Sequence, residues 1–221
     1  MQFYVLDKFP RGPADTCMGK AKGYVQGDAP RFSKCGGTVG MLEWLPPFRV
    51  EIELYGKEFG DFVFGASSNV LVISLRFKEL YHDHGLTGLS GFEPVEVIKI
   101  KSRRKKKPDP PPYFRAVVGR SRTAIDLAAS GFEWLKPPTC MECRRAHIIR
   151  WQRIVIEKGT WTSDDIFIPR GLSATIVVSQ RFKDICESNG VTNAIFLPAE
   201  SYGHDFYPGM KDPSELESPS G

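Results

Sequence analysis

From Arg49 the chain alternates. Val50, Ile52 and Leu54 are apolar, while Glu51 and Glu53 between them are charged. Period-two alternation of this kind predicts a half-buried strand with both glutamates on its open face. Residues 114–127 and 148–157 read as further extended segments. The first 49 residues are rich in Gly, Pro and polar side chains, with only Phe3–Leu6 as a short apolar run, so an irregular segment is expected there. Between Lys101 and Tyr113 like charges repel, and Pro110–Pro112 can continue neither a helix nor a central strand, which predicts an exposed hairpin tip or linker.

One pattern occurs twice. Residues Ser74–Thr87 align with Ser179–Thr192 at an offset of 105, with Ser, Arg, Phe, Lys, Gly and Thr identical in both copies. Upstream, Leu71–Ile73 matches Ile176–Val178 and Phe62-Val63 matches Phe167-Ile168. Downstream, Phe92–Pro94 matches Phe196–Pro198 after a shift of one residue. Each copy reads as a short β-branched strand followed by a helix. Ser74 and Ser179 are placed to cap the helices by accepting a backbone N–H. Phe77, Leu80 and Tyr81, and likewise Phe182, Ile185 and Cys186, form one apolar stripe each. Gly85 and Gly190 sit where a left-handed C-terminal cap is wanted. A helix this short is marginal alone and must pack on neighbouring strands. The expected fold class is α+β: two duplicated strand–helix–strand units on a mostly antiparallel sheet. The expected segments are an irregular 1–49, a first lobe at 50–100, the exposed loop at 101–113, a second lobe at 114–202 and an acidic flexible tail at 203–221.

Charge refines this picture. The 221 residues carry a formal net charge of +4. Seven Lys or Arg residues lie between Lys99 and Lys107, and 4 − 7 leaves −3 for the rest. The chain therefore reads as a mildly acidic body with one basic stripe, which argues against a generally basic nucleic-acid binder. The stripe lacks interleaved aromatics for base stacking. No basic segment followed by an apolar run opens the chain and no apolar stretch is long enough to span a bilayer, so a soluble cytoplasmic protein is expected.

The cysteines are the sharpest chemical signal. There are five, an odd number that favours free thiols or a metal site over a disulfide framework. Cys140 and Cys143 are spaced so that both thiolates can reach one tetrahedral Zn²⁺ from a turn. Cys35, followed by Gly36-Gly37, can supply a third ligand, and Cys17 or His147 a fourth. Unrelated thiols are the competing reading. Metalloprotease, serine-hydrolase, P-loop and dinucleotide motifs are absent, and nothing argues for an enzyme. Trp44, Trp134, Trp151 and Trp161 offer material for a protein-binding surface.

Taken in order, Cys35-Gly36, the strand–Ser-x-Arg-Phe–helix–Gly unit, Cys140-x-x-Cys143 and the second unit closing on Phe196-Leu-Pro198 resemble the double-CxxCG family of bacterial immunity proteins. The sequence departs from that pattern at Phe32, where the first pair needs a cysteine, and at Arg144, where the second needs glycine. The resemblance implies a non-catalytic cytoplasmic protein that binds and neutralises a cognate toxin by occluding it, with structural zinc at Cys17, Cys35, Cys140 and Cys143. A basic nuclease is the expected toxin class, which makes Glu51, Glu53, Asp164, Asp165 and the acidic tail the expected contact surface. A zinc-stabilised nucleic-acid-binding regulator using Lys99–Lys107 is the alternative, and a thiol or zinc enzyme built on Cys140 and Cys143 a third.

Overall fold

A computed structural model describes residues 1–8, 17–38, 40, 42–66, 70–104 and 108–209. In chain order its strands begin with β1 (Phe3–Asp7), β2 (Cys17–Ala21), β3 (Val25–Gln26), β4 (Trp44–Leu45), β5 (Arg49–Leu54), β6 (Phe62–Val63) and β7 (Val70–Ser74). Helix α1 (Leu75–Asp83) leads to β8 (Leu89–Ser102), β9 (Tyr113–Val118), β10 (Arg120–Ala124), β11 (Glu133–Lys136) and β12 (His147–Trp151). Then come β13 (Ile166–Arg170), β14 (Val177–Ser179), helix α2 (Gln180–Ser188), β15 (Ile195–Pro198) and β16 (His204–Asp205).

The expected α+β class is corrected by this inventory. Among the described residues two nine-residue α-helices stand against sixteen strands, and the strands curl toward a nearly closed, barrel-like sheet. The protein is mostly β. The amphipathic stripes of the helices are conspicuous in sequence. Many of the strands are two to five residues long and leave little periodicity to detect.

The helices form for the reasons the stripes give. Ser74 Oγ accepts from Phe77 N and Ser179 Oγ from Phe182 N, both at 3.1 Å. Gly85 and Gly190 close the helices at φ +56° and +60°. Phe77, Tyr81, Phe182 and Cys186 are buried in one shared core cluster that also holds Tyr4, Leu6, Leu71 and Ile166. The Phe77 and Phe182 rings meet at 6.0 Å between centroids.

Sheet topology shows how deep the duplication runs. Among the described residues the six-stranded sheet has the order β2-β5-β8-β9-β7-β6 and the five-stranded one β10-β13-β14-β1-β15, beside two small sheets, β11-β12-β16 and β3-β4. The series β6-β7-β9-β8 of the first matches β13-β14-β1-β15 of the second, and every adjacent pair in both series is antiparallel. The N-terminal strand β1 thus fills in the second repeat the place that β9 fills in the first. The aligned strands also shift. Phe62 pairs with Ile73, and Ile166 with Val178, so Asp61-Phe62 corresponds to Asp165-Ile166 rather than to the residues one position later.

Interlocking side chains join the copies. Asp61 accepts from Ser74 Oγ at 2.7 Å, from both Arg76 Nε and Nη2, and from Thr192 N and Oγ1 at 2.8 and 3.0 Å. Asp165 accepts from Ser179 Oγ at 2.9 Å, from Arg181 Nη1 at 2.6 Å, and from Thr87 N and Oγ1 at 3.1 and 3.3 Å. Each arginine also crosses to the other helix. Arg76 donates to the carbonyls of Asn189 and Gly190, and Arg181 to those of His84 and Gly85. These are the carbonyls a helix C-terminus leaves without internal partners, so the guanidinium satisfies them and meets the negative end of the dipole.

Lys105–Lys107 and residues 210–221, with most of the expected acidic tail, lie outside the described residues. No helix among the described residues is long and apolar enough to cross a membrane.

Candidate functional site

Two turns, far apart in sequence, bring three cysteines together. The first is closed by an Arg31–Thr38 bridge, with Phe32 N donating to Gly37 O at 2.9 Å and Gly36 N to Phe32 O at 2.8 Å. Gly36 takes φ +65°, a conformation that lets the chain reverse just after Cys35. In the second turn Arg144 N donates to Cys140 O at 2.8 Å. The sulfurs of Cys35, Cys140 and Cys143 all lie within 4.8 Å of one another, and those of Cys35 and Cys143 are 3.6 Å apart. Tetrahedral zinc with Zn–S bonds of about 2.3 Å sets its sulfurs about 3.8 Å apart, so the donor set fits such an ion. The trio could bind a metal.

The sulfurs differ in environment. The Cys143 backbone N–H beside its sulfur holds the Cys140 thiol below the usual range, aided by the Glu142 backbone and by Cys35. Burial pushes the Cys143 thiol up. Other contacts fasten the same two segments: Arg145 Nη1 donates to Thr38 Oγ1 at 2.8 Å, and the Arg170 guanidinium lies 5.0 Å from the centre of the Phe32 ring.

Cys17 sits elsewhere. It is fully buried in the cluster around Trp44 and Ile52, where Gly60 N donates to its sulfur at 3.4 Å. His147 is exposed on β12 and does not join the trio. The four acidic candidates divide into two kinds. Glu51 is 8% exposed, its carboxylate paired with the Lys101 and Lys22 side chains from the segments on either side of β5. The hydrogen bond from Lys101 holds that carboxyl below its usual range. Asp165 is 4% exposed and belongs to the interlock with Arg181. Glu53 is exposed, and Asp164 is half-buried with Thr162 Oγ1 donating to it at 2.8 Å.

Beside the trio lies a cleft of about 600 Å³ to which Cys143 contributes a wall. Its floor is apolar, from Phe32, Ile148, Trp151, Pro169 and Leu172, and Arg31, Arg120, Arg145 and Arg170 surround it. Burial lowers the Arg120 pKa from its ordinary value. Sequence reasoning missed these arginines because it looked for a run of charge, and these four are scattered over 140 residues with no local spacing to connect them.

No curated protein sequence matches the chain. The model of an immunity protein family, Imm11, matches residues 48–201, a span that includes both repeats and the Cys140–Cys143 turn. The match carries no double-CxxCG designation, in keeping with Phe32 and Arg144 at two of that pattern's positions. Because it covers well over half of the 221 residues, the chain belongs to the Imm11 immunity protein family.

Proposed function

We propose that this protein protects its producer, in the cytoplasm, by binding one cognate toxin and covering that toxin's active site, without chemistry of its own. The family match over residues 48–201 carries this reading. Occlusion needs affinity rather than catalysis, and affinity comes from a few buried anchors with complementary charge around them. A nuclease is the proposed toxin class. Of the four acidic candidates, exposed Glu53 and half-buried Asp164 are within reach of a basic partner, while Glu51 and Asp165 are held in ion pairs. Structural Zn²⁺ held by Cys35, Cys140 and Cys143 is the second part of the proposal. Its chemistry would be that of a cross-link, fixing the Arg31–Thr38 turn to the second repeat.

The test is co-expression with a candidate toxin domain, sought in the reading frame next to that of this chain. Stoichiometric co-purification and survival of the toxin-producing cells are the expected results. Purified partners that fail to associate would refute the reading.

A further inference from the structure

Resting on the immunity reading, we propose that the cleft beside the cysteine trio is a second contact with the partner, separate from the acidic residues Glu53 and Asp164, and that it receives an acidic segment of an otherwise basic toxin, carrying an apolar or aromatic side chain. Three observations support it. First, the composition of the cleft is one-sided: four arginines line it, and among the described residues no aspartate or glutamate does. Second, among the described residues Arg31 and Arg145 have no carboxylate partner. Arg31 Nη1 donates to Gly36 O at 3.1 Å and Arg145 Nη1 to Thr38 Oγ1 at 2.8 Å, both neutral acceptors. Arg170 pairs with Glu142, which lies outside the cleft lining. Third, between these cations the floor is apolar: half-buried Phe32 and Ile148 can pack against an incoming side chain, and buried Trp151 and Leu172 lie beneath them.

Cations around an apolar floor suit an anchor side chain flanked by carboxylates. Arginine forks grip carboxylates bidentately, and the low-dielectric floor strengthens each pair. A cavity of this size matches one or two side chains rather than a whole domain face. Arg31 and Phe32 ride on the turn that carries Cys35, so a metal bound by the trio would stiffen one wall of the cleft beyond what Arg145–Thr38 and Arg170–Phe32 already provide.

The experiment titrates the full-length protein, by calorimetry, with the blocked peptide Glu-Glu-Phe-Glu-Glu and its Gln-Gln-Phe-Gln-Gln counterpart. The acidic peptide is expected to bind at least about tenfold more tightly than the neutral one, with the difference shrinking as salt rises. Equal binding of the two peptides, or none of either, would overturn the proposal, and this comparison needs no variant. The doubly reversed Arg31→Glu/Arg145→Glu protein should lose about tenfold, while Arg31→Lys/Arg145→Lys stays within about threefold of the parent. A ten-nucleotide oligothymidylate that binds the cleft more tightly than the acidic peptide would overturn the choice of a protein partner. The toxin domain separates this proposal from the one it rests on. Capture by the parent and equal capture by the charge-reversed protein sinks the cleft but leaves immunity intact. No capture by the parent sinks immunity, and the peptide titration still decides the cleft.

Discussion

Replacing Arg76 by alanine tests whether the two repeats are held together by their exchanged arginines. Asp61, with its side chain 5% exposed, is the group left behind. Stripping the cation from a buried carboxylate costs about 3–5 kcal/mol where nothing else compensates. Here Ser74 Oγ and the Thr192 N–H and hydroxyl still donate to it, and the Arg76 side chain is 54% exposed, so water can take part of its place. About 2 kcal/mol is therefore expected, or roughly 4–8 °C in Tm for a chain of this size. Arg181→Ala removes the equivalent partner of Asp165, whose side chain is 6% exposed, and should cost about the same. The two sites share both helices: each arginine starts on one and ends on the other. The double variant should thus lose more than the sum by at least about 0.5 kcal/mol, because either site alone keeps the helices in register. Arg76→Lys keeps the charge without the fork and should fall between. Urea unfolding followed by circular dichroism reads all four. Losses below about 0.5 kcal/mol for both single variants, or strict additivity in the double, would refute the interlock.

Three further outcomes are expected. The Asp61 carboxyl stands below its ordinary value of 3.8: burial works to raise it, and hydrogen bonds from Arg76, Ser74 and the Thr192 backbone outweigh burial. Its contribution is therefore complete above that ordinary value and is lost as pH falls through the lower folded value, so unfolding midpoints should drop on acidification and Asp61→Asn should flatten that drop. Gly88 adopts φ +106°, and a Cβ there would lie 1.8 Å from Ile166 O, so Gly88→Ala should cost more than about 3 kcal/mol or prevent soluble expression. Zinc at a hundredfold excess over its dissociation constant should stabilise the chain by about 2.7 kcal/mol, and Cys143→Ser should abolish that shift in a thermal melt. A melt indifferent to zinc and chelator would count against the metal.

Elements decided by local chemistry were legible in the sequence. The alternation at Val50–Leu54 became β5, and the Ser74 and Ser179 caps closed the two helices where the apolar stripes place them. What depends on partners was not. The alternation put Glu51 on an open face, where Glu53 is indeed exposed, yet the Lys101 and Lys22 side chains pair with Glu51 and it is buried. Asp61 and Asp165 escaped the alignment because their spacing to the capping serines differs by one residue, from 13 to 14. The CxxC announced half of the cysteine site. Cys35 was a candidate through its Gly36-Gly37 neighbours, and the fold brings it to the pair from 105 positions away, while the other candidates, Cys17 and His147, stay apart.

The placement of β1 between β14 and β15 has a meaning for biosynthesis. β1 is made well before either neighbour and finds them only once Val177–Ser179 and then Ile195–Pro198 have followed. The first repeat has its own β9 by then, whereas the second cannot complete its sheet until β1 is brought back to it. A sheet closed by so distant a pairing is expected to form later than one closed by neighbours in sequence.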